Sequence, residues 1–403
     1  MSTQKLPNEV IQMIVGNLVP SMWDKASLPA SHVITKTLIA LTRVCWATYP
    51  RATDLLWQYC LRIDSNNKAL KFSQCLQSTS VEKIFHHCRH VRLYLEPFEE
   101  PSEEPFEEPL KEVESPSEAG SSSGSANDTP EPSVIRFSCY GGSSDESSFS
   151  PSPKPPLADM QTAIVVRDIL LTLAPVLKCL IIDMPLRSLY PEYDKEGIRP
   201  ILRHGFEALV HLEEFVSIRD ELFLAIVEDE TEHHVWATCW PKLRRLALYN
   251  LDMDPEEGAW LEIVGLPCLE LGVFTRADGS RFGEVSEDDA EQDDAEQEWV
   301  ASLSHVRAQA RRTLQHDGSS LRSLSLVFVD CVEHPELFTW FASGLDWKSG
   351  DITLHVHFIS PSVYGPGTSP EDVDPREICQ DWVKRQALDG TLWEEIFSVC
   401  EVP

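Results

Sequence analysis

Basic residues are scarce in this chain. Against 65 Asp+Glu there are only 34 Lys+Arg, a formal charge of −31 at pH 7. Such a chain repels nucleic-acid phosphates and anionic lipid surfaces, which excludes both as the main ligand. Paired cysteine motifs are missing too. The eleven cysteines are scattered singly and no C-x-x-C occurs, which argues against a disulfide framework and against a zinc site. The opening MSTQKLPNEVIQ has no apolar core of a secretory signal, so the expected compartment is the cytoplasm and/or the nucleus. No apolar run approaches the roughly 20 residues a bilayer needs; the longest, Ile169 to Ile182, is broken by Lys178. H-E-x-x-H, G-x-x-x-x-G-K-[ST] and G-x-G-x-x-G are absent, and the one G-x-S-x-G, Gly120 to Gly124, lies in low-complexity sequence. The expectation is therefore a protein without catalysis of its own, with no cofactor and no metal.

What charge there is falls in two places. Glu96 to Glu118 and Glu284 to Glu298 each carry −9, and removing both from −31 leaves −13 for the rest. Residues 96–156 contain FEEPSEEPFEEP followed by GSSSGSANDTPEPS and SSDESSFSPSPKPP. Such composition buries too little apolar surface to offset chain entropy, so this stretch is expected to be a disordered acidic linker. The second acidic run and the Pro/Gly-rich 360–375 are expected to be loops inserted in a folded region.

Residues 1–65 carry helical patterning. In PNEVIQMIVGNL, Val10, Ile11, Ile14, Val15 and Leu18 share one face at helical spacing, and Pro7 and Glu9 suit a helix start. A second helix is expected over TLIALTRVCWATY and a third over TDLLWQYCLRI. The second is apolar on several sides, so more than one neighbour must bury it.

Beyond residue 85 the pattern changes to short strands carrying L-x-x-L-x-L. Copies run through Leu177-Leu180-Ile182, Leu243-Leu246-Leu248, Leu266-Leu269-Leu271 and Leu321-Leu324-Leu326, with weaker ones in HCRHVRLYL, HLEEFVSI and ITLHVHF. Helices are expected at Ala163 to Leu173, Ile198 to Leu209, Trp299 to Leu314 and Glu377 to Phe397. Alternate leucines then enter a core while the residues between them face outward. Leu246, Leu248, Leu324 and Leu326 are core by that phase, and Asp183, Arg245, Tyr249, Ser323 and Ser325 line a concave surface as candidate client-binding residues. Trp382 and Trp393 are expected to cap the end of the array. The repeats start within 66–95 and continue over 157–403, with the acidic insert at 284–298. HHCRH (His86 to His90) and His233-His234 lack the spaced ligand pairs of zinc sites and read as surface or strand-start residues.

The ordered phrases Leu6, Pro7, Glu9, Ile14 and Leu18, then Leu38, Leu41, Val44 and Cys45, then Leu56 and Trp57 resemble the F-box of filamentous-fungal proteins, over about sixty residues. The later leucine phrases are similar to the degenerate leucine-rich arrays that follow such boxes. One departure is the long segment VPSMWDKASLPASHVITKT between the first two helices. The resemblance implies a mixed α and α/β architecture: a three-helix F-box module, the linker, and an irregular leucine-rich-repeat-like solenoid. It also implies a substrate-recognition adaptor of an SCF-type cullin-RING ubiquitin ligase. The F-box would bind the S-phase-kinase-associated adaptor, and through it cullin, while the repeat region takes a client protein. Leu6, Pro7, Ile14, Leu18, Leu38, Leu41, Val44 and Trp57 are the residues expected to make or support that contact. The alternative is a non-ligase scaffold built on an F-box-like fold.

Overall fold

The computed structural model describes residues 6–19, 25–78, 88, 90–98, 159–186, 194–222, 224, 233–251, 259–276, 322–330, 347–349, 352–359, 361 and 374–394. Residues 1–100 and 155–403 group as one compact unit. The linker 96–156 beyond Phe98, the insert 284–298, the helix expected at Trp299 to Leu314, and His86 and His87 lie outside the described residues.

The architecture is mixed α/β. Its helices are α1 (Asn8–Gly16), α2 (Val33–Leu41), α3 (Tyr49–Tyr59), α4 (Asn66–Ser78), α5 (Met160–Leu173), α6 (Ile198–Glu207), α7 (Val235–Cys239), α8 (Ala259–Gly265) and α9 (Pro375–Asp389). Its strands are β1 (Leu61–Ile63), β2 (Val91–Leu95), β3 (Leu177–Ile182), β4 (Glu214–Ser217), β5 (Arg245–Tyr249), β6 (Leu271–Thr275), β7 (Arg322–Val329), β8 (Trp347–Ser349) and β9 (Ile352–Ile359). They form one sheet in the order β1-β2-β3-β4-β5-β6-β7-β9-β8. Pairing is parallel from β1 to β7 and on to β9, and antiparallel between β9 and β8. Parallel neighbours need a crossover, and between β1 and β6 each crossover contains one of α4 to α8.

All five crossover helices bury residues in one core on the first face of the sheet. Ala69 and Leu76 of α4, Ile169 and Leu173 of α5, Leu202 and Phe206 of α6, Trp236 of α7 and Ile263 of α8 meet Leu180, Phe215, Leu246, Leu248, Leu324 and Leu326 there. The four leucines read as core from strand phase are thus buried. The copy at Leu266 is shifted. Leu271 pairs with Arg245, and Gly272 with Leu246, so Gly272 and Phe274 occupy the core register while Leu271 belongs to the opposite face. A Cβ on Gly272 would come 2.9 Å from the Phe274 ring and 3.0 Å from Leu326, so any larger residue there must push those side chains aside.

The second face of the sheet is also covered. Cys179, Ile181, Val216, Ala247, Leu271, Val273 and Val327 pack with Trp382, Val383 and Ala387 of α9 and with Leu392 and Trp393 just beyond it. Local chemistry fixes α9 well. Asp374 caps its start by accepting from the Arg376 N–H at 2.8 Å, Pro375 occupies the first turn, and Gly390 ends it at φ +80°.

Two further expectations are corrected. The second helix stops at Leu41, and Val44, Cys45 and Trp46 fall in the turn before α3. There the Thr48 hydroxyl donates to the carbonyls of Leu41 and Cys45 and holds the turn closed. The third helix stops at Tyr59, and Leu61 to Ile63 become β1 because the edge of β2 offers them a ladder.

Candidate functional site

Helices α1 to α3 share a small core of Val15, Leu38, Ala52 and Leu55, with Ile11, Leu18, Ile34, Leu41 and Leu56 packed around it. Four buried side chains are little for three helices, and much of the apolar surface of this module faces outward. Leu6 is 60% exposed, Ile14 54%, Val44 66% and Trp46 89%. Pro7 is exposed as well. Met13, Val33 and Ile39 add to the outward apolar set. Where exposed apolar side chains are contiguous they mark binding surfaces.

The structure therefore divides the eight residues expected at the adaptor contact. Leu6, Pro7, Ile14 and Val44 face out. Leu38 is fully buried, and Leu18 and Leu41 are half-buried in the module's core. Trp57 is half-buried. It packs against the first-face core and lies 5.9 Å from the Phe72 ring of α4, so it fastens the module to the sheet's helical layer. The exposed Trp46 and Met13 are not among the residues the motif names. A tryptophan in the turn after a helix that is already apolar on several sides was the available clue.

The unusually long segment between α1 and α2 has a packing partner. Ala26, Ser27 and Leu28 are buried. The Ser27 N–H donates to the Leu388 carbonyl of α9 at 2.7 Å, and the Leu28 N–H to the Tyr59 carbonyl of α3 at 2.6 Å. Lys25 pairs with Glu394 at 3.2 Å. A Cβ on Gly390 would stand 2.5 Å from the Lys25 carbonyl carbon and 2.6 Å from the Ala26 nitrogen. Residues 25–28 thus clasp α3 and α9 together.

Strand phase places the candidate client residues on the second face as expected, but that face is not open. Asp183 and Tyr249 are buried. Asp183 accepts from Arg219 Nε and Lys384 Nζ, each at 2.5 Å, and from the Tyr94 hydroxyl at 3.4 Å. Lys384, on α9, also reaches Glu96 at 3.0 Å, and Tyr94 donates to the same carboxylate at 2.6 Å. Burial works against the Lys384 charge, yet the hydrogen bonds and charges of Asp183 and Glu96 outweigh it and hold its pKa above the ordinary lysine value. Burial, reinforced by Glu96, pushes the Tyr94 phenol up.

A second charged row crosses the same face at the start of the strands. Arg92, Cys179, Glu214 and Arg245 stand in register across β2 to β5. Glu214 bridges Arg92 at 3.2 Å and Arg245 at 2.6 Å. Burial raises its pKa, but the two guanidiniums prevail and the net shift is downward. Burial pushes the neighbouring Cys179 thiol up to about 12. Arg245 is thus tied into an ion pair with Glu214. Ser325 is half-buried, and the side chain of Ser323 lies outside the described residues.

His233 and His234 lie just before α7. Their Nδ1 atoms meet the two oxygens of Glu262 at 2.8 and 2.6 Å, across from α7 to α8. Burial opposes the Glu262 charge, and the histidines overcome it, so the carboxyl sits below its usual range. Among the described residues no group of three or more His, Cys, Asp or Glu is arranged to hold a metal ion. None of the described helices is long and apolar enough to cross a membrane.

Comparison with family models, curated proteins and solved structures returned no match. What the geometry defines is a class of architecture: a mixed α/β protein whose parallel sheet is helix-covered on both faces, with a small outward-greasy helical module attached.

Proposed function

We propose that this chain is a substrate-recognition adaptor of an SCF-type cullin-RING ubiquitin ligase. In this reading α1 to α3 dock on the S-phase-kinase-associated adaptor, which bridges to cullin, and the sheet region takes the client. The observation that carries it is the outward placement of Leu6, Ile14, Val44 and Trp46 on a module with a four-residue core. Burying such side chains in a partner's groove is how helical docking obtains its affinity. No step of chemistry falls to this chain; holding a client beside a charged conjugating enzyme raises its effective concentration.

The test is capture of the adaptor and cullin by the full chain and by Ile14→Asp/Val44→Asp. Both positions are exposed, so the variant keeps the fold, whereas deleting residues 1–65 would remove β1 and the clasp. Capture by the parent chain and its loss in the variant supports the reading. Equal recovery from both, or from neither, ends it. The covered second face favours a second reading, a scaffold that binds through α1 to α3 and delivers no client.

A further inference from the structure

Of the described helices, α9 alone packs on the second face, and it follows the last strand of the sheet. It covers the positions that strand phase assigns to an open surface. Its buried stripe, Ile378, Cys379, Trp382, Val383 and Ala387, is apolar at helical spacing, the last three of these packing on the sheet, and Lys384 stands at its rim. Beneath that lysine is a carboxylate, Asp183, whose side chain has no exposure. A buried ion pair is a costly contact that specifies which cation-bearing element fits. Residues 360–373, between β9 and α9, reach up to roughly 3.3 Å each when extended, so chain length does not bind α9 to the sheet. Its apolar packing and the Lys384 pairs bind it to the sheet, and the clasp at 25–28 ties its end to α3.

We propose that α9 is a built-in competitor: it occupies the sheet face on which a client helix lies, and the clasp on Gly390 governs how readily it leaves. The client is then a helix with an apolar, aromatic-bearing stripe and a lysine or arginine at its rim, which replaces Lys384 at Asp183 and Glu96. Exchange of one such helix for another restores the same buried contacts, and tethering in cis gives α9 the advantage of high effective concentration. This rests on the receptor reading for the word client; the displacement itself does not.

The test uses the full chain and hydrogen–deuterium exchange. Amides of α9 are expected to exchange at least tenfold faster than those of β3 to β6, as a separate opening unit. Gly390→Ala, which drives a Cβ into the clasp, accelerates α9 a further tenfold and leaves β3 to β6 unchanged. Lys384→Ala is the second variant, should the glycine change prevent folding. A labelled peptide of residues 374–394 is expected to bind the opened variant, and the same peptide with Lys384→Glu at least tenfold more weakly. If α9 exchanges in step with β3 to β6 in every form, or no peptide binds, the competitor idea is overturned. Neither readout involves ligase subunits, so its failure is distinct from failure of the capture experiment.

Discussion

Leu38 and Val44 lie six residues apart and meet opposite environments, one without solvent exposure and the other two-thirds exposed. Leu38→Ala leaves a cavity in a core of four side chains, and the expected loss is about 2–5 kcal/mol by urea denaturation. Ile14→Asp and Val44→Asp are expected to stay within about 0.5 kcal/mol of the parent while adaptor capture falls. Glu262 carries a pH signature. Its folded pKa is depressed, so its contribution is present above the unfolded value of about 4.3 and lost as pH falls through the folded value. Glu262→Gln removes that dependence, which a shallower acid limb in a stability–pH profile would show. The apolar residues of α1 to α3 were legible in the sequence from their helical spacing. Which of them face outward was not legible, since helical period alone leaves the direction of a stripe undefined until its neighbours are known.

At the scale of elements, α9 was legible and its position was not. Asp-Pro at one end and Gly at the other are local signals that any neighbour leaves intact. The face it takes is a tertiary matter, yet a clue existed. The residues between the strand leucines, Cys179, Ile181, Val216, Ala247, Val273 and Val327, are themselves apolar, which is the mark of strands buried on both sides. Reading them as concave-surface neighbours missed that. The same packing makes α9 alkali-sensitive. Lys384 and Tyr94 both have raised pKa values when folded, so their contribution is complete below the unfolded values of about 10 and is lost as pH rises through the folded ones. Near-ultraviolet circular dichroism above pH 10 should show α9 detaching, with a smaller response in Lys384→Met.

For the whole molecule, the order of strands in the sheet follows the order in sequence up to β7, and this was the most legible property of all. Each leucine phrase can bury itself only against the next, so a repeated phrase predicts a progressive sheet. The copy at Leu266 shows the limit, because the phrase is visible there but out of register: Gly272 and Phe274, not its leucines, stand beside Leu246 and Leu248. Strands β6 and β7 pair over five positions although 277–321 intervenes. Loop closure entropy changes slowly with length, so deleting 284–298 is expected to leave stability unchanged or to raise it by about 0.4 kcal/mol. A fall of several kcal/mol in a denaturant titration would mean that the acidic run takes part in the fold.

The clasp also sets a timetable. Lys25 and its partner Glu394 are 369 residues apart, and ribosomes add roughly 5–20 residues per second. For on the order of half a minute during synthesis, the segment that joins α1 to α2 waits for a helix that has not yet been made. Any product arrested before residue 375 carries the outward apolar side chains of α1 to α3 on a sheet without its cover, a combination that offers exposed grease to chaperones at two places at once.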